Sequence, residues 1–217
     1  AVARQKEFDE SEVLNAATEL FWRQGYKATS VRDLTAHTGL GEGSLYNAFG
    51  GKRGLFQAAL NRYRGRLRRW FRKIDEFDSP REGLEWFIGG VAKGLSGQAD
   101  FRGCLITNTT IELAPHDAEI QQELRSIYAE VENAFCRTIK RAQQQGEIDA
   151  DRSARRLARF LMLNLEGLRV LTKSKPGPNA LRDMANMSLA VLFDDGRPQT
   201  RPGKRKQSRK AVSTSKT

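Results

Sequence analysis

Apolar residues return every three or four positions along most of the chain, which is the period of an amphipathic helix, and no stretch alternates as a half-buried strand would. From 9 to 24, Val13, Leu14, Ala17, Leu20 and Phe21 form one stripe, and Gly25 follows as a stop. A second helix is predicted over 30–37, with Ser30 as cap and Asp33 three residues on, close to a capping box. Over 52–75, Phe56, Leu60, Tyr63, Leu67, Trp70, Phe71 and Ile74 share a face. Shorter helices are predicted over 81–95 and 103–113, a long one over 117–145, and two more over 152–173 and 179–193. The six prolines punctuate these segments. The fold class is therefore all-α, with about nine helices.

One stretch breaks the rhythm. "GLGEGSLYNAF", 39–49, interrupts the helical pattern with glycines and restarts it within a turn. Two helices that cross closely need a small residue and a left-handed turn, which Ala36 and Gly39 supply. Leu34, Leu40 and Leu45 are expected to fill the wedge, and Phe49 to turn back toward the first helix. Gly43 and Ser44 open the next helix with little bulk, so its bare amides can meet a phosphate or a base edge. Tyr46 and Asn47 are expected to point outward, where tyrosine can contact phosphate or a thymine methyl and asparagine can read adenine. Any short helix in an all-α protein has such a turn, so the spacing alone leaves DNA binding open.

Charge adds to this unevenly. The formal net charge is +11, yet eight Lys or Arg and no acid lie in 196–217. Removing those eight from 37 leaves 29 basic residues against 26 acidic ones, a net of +3. That tail, with Val212 its one large apolar residue, cannot bury enough surface to order itself and is expected to be disordered. It either adds sequence-independent attraction to phosphate or keeps the protein soluble. Lys52 to Lys73 holds nine basic residues and no acid, read either as a solvated face or, at its first turn, as a contact to a phosphate backbone.

Two cysteines, Cys104 and Cys136, suit neither a disulfide framework nor a metal site. No run approaches the length of a membrane span and the start lacks an apolar signal core, so a cytoplasmic protein without membrane contact is expected. The two histidines, His37 and His116, form no Ser-His-Asp order or metal spacing, and no Gly-rich phosphate loop is present. Neither enzyme chemistry nor a cofactor is expected; His116 with Asp117 reads as the cap of the seventh helix. A DNA-coating protein driven by the tail and the fourth helix is the rival from another class, marked by salt-dependent binding without a sequence motif.

The residues from "FDESEVLN" to "GKRGLFQAAL", 8–60, resemble the DNA-binding domain of TetR-family transcriptional regulators. They carry the aromatic-x-x-x-Gly-Tyr, Thr-Ser-Val-x-Asp-Leu, Gly-Ser-Leu-Tyr and Lys-x-x-Leu-Phe elements in order. The resemblance implies a homodimer whose N-terminal three-helix head, 1–52, docks in the major groove of a double-stranded operator. A helical body, 53–195, would dimerise and hold an unknown small-molecule effector, with the basic tail over 196–217. It assigns DNA contacts to Arg32, Ser44, Tyr46, Asn47 and Lys52, and to Gly43 by backbone. Two departures stand out: Glu42 where many members have lysine, and Ala48 where many have histidine.

In the body, Leu157, Phe160, Leu161, Leu165, Leu168 and Leu171 on one helix, with Leu181, Met184, Leu189, Val191 and Leu192 on the next, would pair across the dimer or finish the monomer core. "FRGCLITNTTIELAP" resembles the sixth helix of a TetR subgroup in which Gly-Cys-Leu opens the helix. Cys104 there, beside Arg102, is either a reactive thiol or a small apolar filler. Asn108, Thr109 and Glu112 bring polar groups to the same helix. Trp86, Phe87, Phe101, Tyr128 and Phe135 offer aromatic wall for a pocket, or are core.

Overall fold

The computed structural model describes residues 8–97 and 102–193. Within them the chain forms α1 (Glu10–Gln24), α2 (Val31–Thr38), α3 (Glu42–Phe49), α4 (Lys52–Asp75), α5 (Pro80–Ser96), α6 (Leu105–Glu112), α7 (Ala118–Gln144), α8 (Ala154–Leu171), a short 3₁₀ turn at Thr172–Ser174, and α9 (Pro178–Phe193). Among the described residues there is no strand. The basic segment 196–217 and Phe101 lie outside the described residues.

Local chemistry sets the helix starts. Asp9 caps α1 by accepting from the Ser11 amide at 2.7 Å, and Ser79 and Ser153 cap α5 and α8 through their hydroxyls. Ser30 and Asp33 form a full capping box on α2, each side chain accepting from the other residue's backbone N–H. Asp117 caps α7, as expected of the segment after His116.

The first three helices pack on the start of α4 around Val13, Ala17, Phe21, Leu34, Leu40, Leu45, Phe56 and Leu60. Leu34 and Leu45 are wholly buried, and each such side chain contributes about 1.5–3 kcal/mol. Gly39 takes the left-handed conformation, φ 70°, that ends α2. Ala36 is exposed, so the turn rather than a small residue at the crossing lets α2 and α3 approach. At the other end of α3, a Cβ at position 54 would sit 1.7 Å from the Phe49 carbonyl oxygen, so the junction of α3 with α4 admits only glycine there.

α4 serves two cores. Leu55, Phe56, Ala59, Leu60 and Tyr63 join the head cluster, whereas Phe71 and Ile74 join a second cluster built from α5, α7, α8 and α9. Trp70, expected on the buried stripe, is 43% exposed. α4 and α7 run parallel, tied by a ladder of side chains along their length. Arg53 pairs with Asp117 and Glu119, Arg64 and Arg68 both grip Glu130, and Arg141 donates to the Ile74, Asp75 and Phe77 carbonyls at the end of α4. The Arg53 guanidinium, followed by the Ile120 amide, lowers the Asp117 pKa to about 2, and Arg68 with Arg64 lowers that of Glu130 to about 2.

Candidate nucleic-acid interface

α3 is the most exposed face of the head. Its buried anchor is Leu45, while Glu42, Gly43, Ser44, Tyr46 and Asn47 are all exposed, Tyr46 at 53%. Gly41 opens the helix without a side-chain cap, which leaves the first-turn amides available to an anion. Arg32 is exposed on α2, the helix that packs against α3. Phe49 is half-buried against the head core, as its expected inward turn requires. Lys52, at the start of α4, stands with its ammonium 4.4 Å from the Tyr26 ring centre. Its pKa is lowered by partial burial, against the opposing pull of Glu112 and Asp33. The expected DNA contacts thus lie on α2, α3 and the first residue of α4, all exposed except Lys52, which is braced against Tyr26.

The pocket residues expected from sequence separate. Phe87 and Phe135 are buried in an aromatic cluster with Phe71, and Trp86 is 42% exposed beside Trp70 and Phe77. Glu112 turns instead toward the head, where its carboxylate accepts from the Tyr26 amide at 3.0 Å and the Lys27 amide at 2.6 Å. Trp22 donates its indole N–H to the Gly103 carbonyl at 3.1 Å, and the Arg102 guanidinium lies over the Trp22 ring and pairs with Glu19. The head therefore grips α6 at both ends. Sequence reasoning missed this grip, because the spacing of Glu112 shows only its helix face and not the amides it meets.

Beside that joint, Trp22, Tyr63, Arg66, Leu67, Trp70, Val91, Leu95, Cys104 and Arg169 line a cleft of about 150 Å³ between α4, α5, α6 and α8. Cys104 is 2% exposed, and its Sγ accepts from the Tyr63 hydroxyl at 3.3 Å. Burial first, then the neighbouring Cys104, pushes the Tyr63 pKa well above its usual value. Arg102, the cation expected to assist the thiol, is directed to Glu19 and Trp22.

Behind the cleft, Glu166 pairs with Arg169 and accepts from Thr107 Oγ1 at 2.6 Å and the Tyr128 hydroxyl at 3.4 Å; Thr110 bonds Tyr128 at 3.0 Å. Asn108 donates to the Arg102 and Trp22 carbonyls. Glu166 and Arg169 had one sequence signal, a charge pair three apart in the largely apolar second half of α8. Elsewhere, Leu163, Val170, Leu171, Met184, Met187 and Val191 leave an exposed apolar face on α8 and α9. Of the two readings of the leucines on these helices, Leu157, Leu161, Leu165, Leu168, Leu181, Leu189 and Leu192 follow the second and are buried in the monomer core. Among the described residues no cluster of metal ligands occurs, and no helix is long and apolar enough to cross a membrane.

Comparison with known proteins matches both parts of the chain. Residues 13–59 match the family "Bacterial regulatory proteins, tetR family", and 83–187 match "Tetracyclin repressor-like, C-terminal domain". The chain is 33% identical over 195 residues to YezE, an HTH-type transcriptional regulator of Bacillus subtilis, covering 88% of this chain and 100% of YezE. It is 30% identical to ComR, an HTH-type transcriptional repressor of Escherichia coli, covering 87% of this chain and 90% of ComR. Among solved structures, a cysteine-substituted CifR bound to 26-base-pair operator DNA superposes with a TM-score of 0.79 at 28% identity, covering 88% of this chain and all of that one.

Proposed function

Because this chain belongs to the TetR family of transcriptional regulators, we propose that it represses transcription by binding a two-fold symmetric operator as a homodimer and is released by a small effector held in its body. The observation that carries the reading is the exposed face of α3, anchored by Leu45 in a head whose turn after α1 is held to α6 by Glu112. Asn47 reads a base edge, Tyr46 and Ser44 contact the backbone, and the Gly43 amide meets a phosphate. Arg32 and Lys52 supply cationic flanks, and Glu42 accepts from a cytosine amino group. Residues 1–52 act as the reading head, 53–195 as the regulatory body, and the protein works in the cytoplasm.

The exposed apolar face of α8 and α9 suits a four-helix bundle with a second copy, which would set two α3 helices about 34 Å apart, one turn of DNA. Effector binding weakens operator affinity only by favouring a body whose heads are wrongly spaced. The relatives named as repressors, and the neighbour solved on its operator, support repression through operator binding.

Selection from a random DNA pool at near-physiological salt tests the reading. A two-fold symmetric motif is the expected result. Enrichment without a motif would replace it with sequence-independent coating of DNA.

A further inference from the structure

The geometry points to a small carboxylate with a compact apolar body as the ligand of the cleft between α4, α5, α6 and α8. This inference rests on the effector reading for its regulatory meaning but not for its chemistry. Among the described residues lining the cleft, the charged ones are two arginines, Arg66 and Arg169, and no acid. Arg66 has its acid, Glu19, at 3.7 Å, and Glu19 is not among the residues lining the cleft. Arg169 gives one nitrogen, Nη1, to Glu166, its one described hydrogen bond, and Cys104 and Tyr63, which bond each other, lie in its electrostatic reach. Glu166 is itself held by Thr107 and Tyr128 behind the cleft, so the pair fixes the guanidinium in place and leaves part of its donor fork for a ligand. A planar fork of that kind matches a carboxylate.

The remaining walls define the rest of the molecule. Leu67, Trp70, Val91, Leu95 and Trp22 are apolar or aromatic, and Gly90 and Gly94 on α5 leave open space where side chains would otherwise stand. A volume of about 150 Å³ is close to that of an engineered cavity that takes benzene, about 150 Å³, and below the ~300 Å³ where drug-sized pockets begin. A single ring or a short branched chain bearing one carboxylate fits.

Benzoate is the probe, with benzamide and toluene as neutral counterparts of similar size, titrated calorimetrically into the full chain. Benzoate is expected to bind at least tenfold more tightly than benzamide. Arg169→Met alone would strand Glu166, so the charge is tested with Arg169→Met combined with Glu166→Gln. That double variant is expected to lose the preference for benzoate while still taking toluene. Gly94→Leu fills the cleft from a position with nothing within 4 Å of its Cβ and is expected to weaken benzoate at least tenfold. Benzoate binding no tighter than benzamide, or unchanged in Gly94→Leu, overturns the inference. Tight binding that leaves operator occupancy unaltered upholds the ligand chemistry and overturns the effector reading instead.

Discussion

Three side chains can be tested singly. Asn47 is exposed on α3 with no structural task, so Asn47→Ala is expected to change the preferred base at one symmetric pair of positions while the fold is unaffected. A selected motif identical to that of the native chain would remove it from base reading. Glu112 accepts two amides of the turn after α1, and hydrogen bonds to a charged group contribute about 1.5–3 kcal/mol each. Glu112→Ala should therefore loosen the head and raise the operator Kd about tenfold, read by fluorescence anisotropy, with the body still folded. Asp117 bears on acid stability. Its folded pKa of about 2 lies below the ordinary aspartate value of 3.8, so its contribution is complete above 3.8 and disappears as pH falls through about 2. Melting temperatures between pH 5 and 2 should fall less steeply in Asp117→Asn than in the native chain, and an equal slope would assign acid sensitivity elsewhere.

Helices were legible where their chemistry is local. Ser30 with Asp33, the glycine after α2 and the long stripe of α4 locate elements within a residue or two, because caps and periodicity depend only on neighbours in the chain. What each face meets was not legible. The same apolar period describes Phe135 in an interior cluster and Trp86 at the surface, and the leucines of α8 that read as a dimer seam fill the monomer. The exposed apolar positions of α8 and α9 are instead led by Leu163 and Met187, 72% and 62% exposed, and the proposed dimer would meet there. Leu163→Arg with Met187→Lys should leave the helices intact and yield a monomer by sedimentation, with operator affinity reduced at least a hundredfold. A dimer surviving both charges would place the interface on another face.

Across the whole molecule, the cleft, α6 and the head form one line of contacts: Gly103 lines the cleft and holds Trp22, and Glu112, at the far end of the eight-residue α6, about 12 Å of helix, holds the turn beyond α1. If the proposed effector weakens operator binding, the coupling must be mutual, so operator DNA should weaken the effector by the same factor, a relation calorimetry can check. The parallel ladder between α4 and α7 carries a different consequence, one of length rather than affinity. Its rungs join residues separated by 62 to 67 positions throughout, from Arg53 to Arg141. One residue inserted in the middle of α4 would turn everything beyond it by roughly 100° and carry several partners out of reach together. Insertions and deletions should therefore be tolerated in the loops after α4 and α7 but not between Arg53 and Arg68, giving this pair of helices a fixed count of residues even where their individual side chains are free to vary.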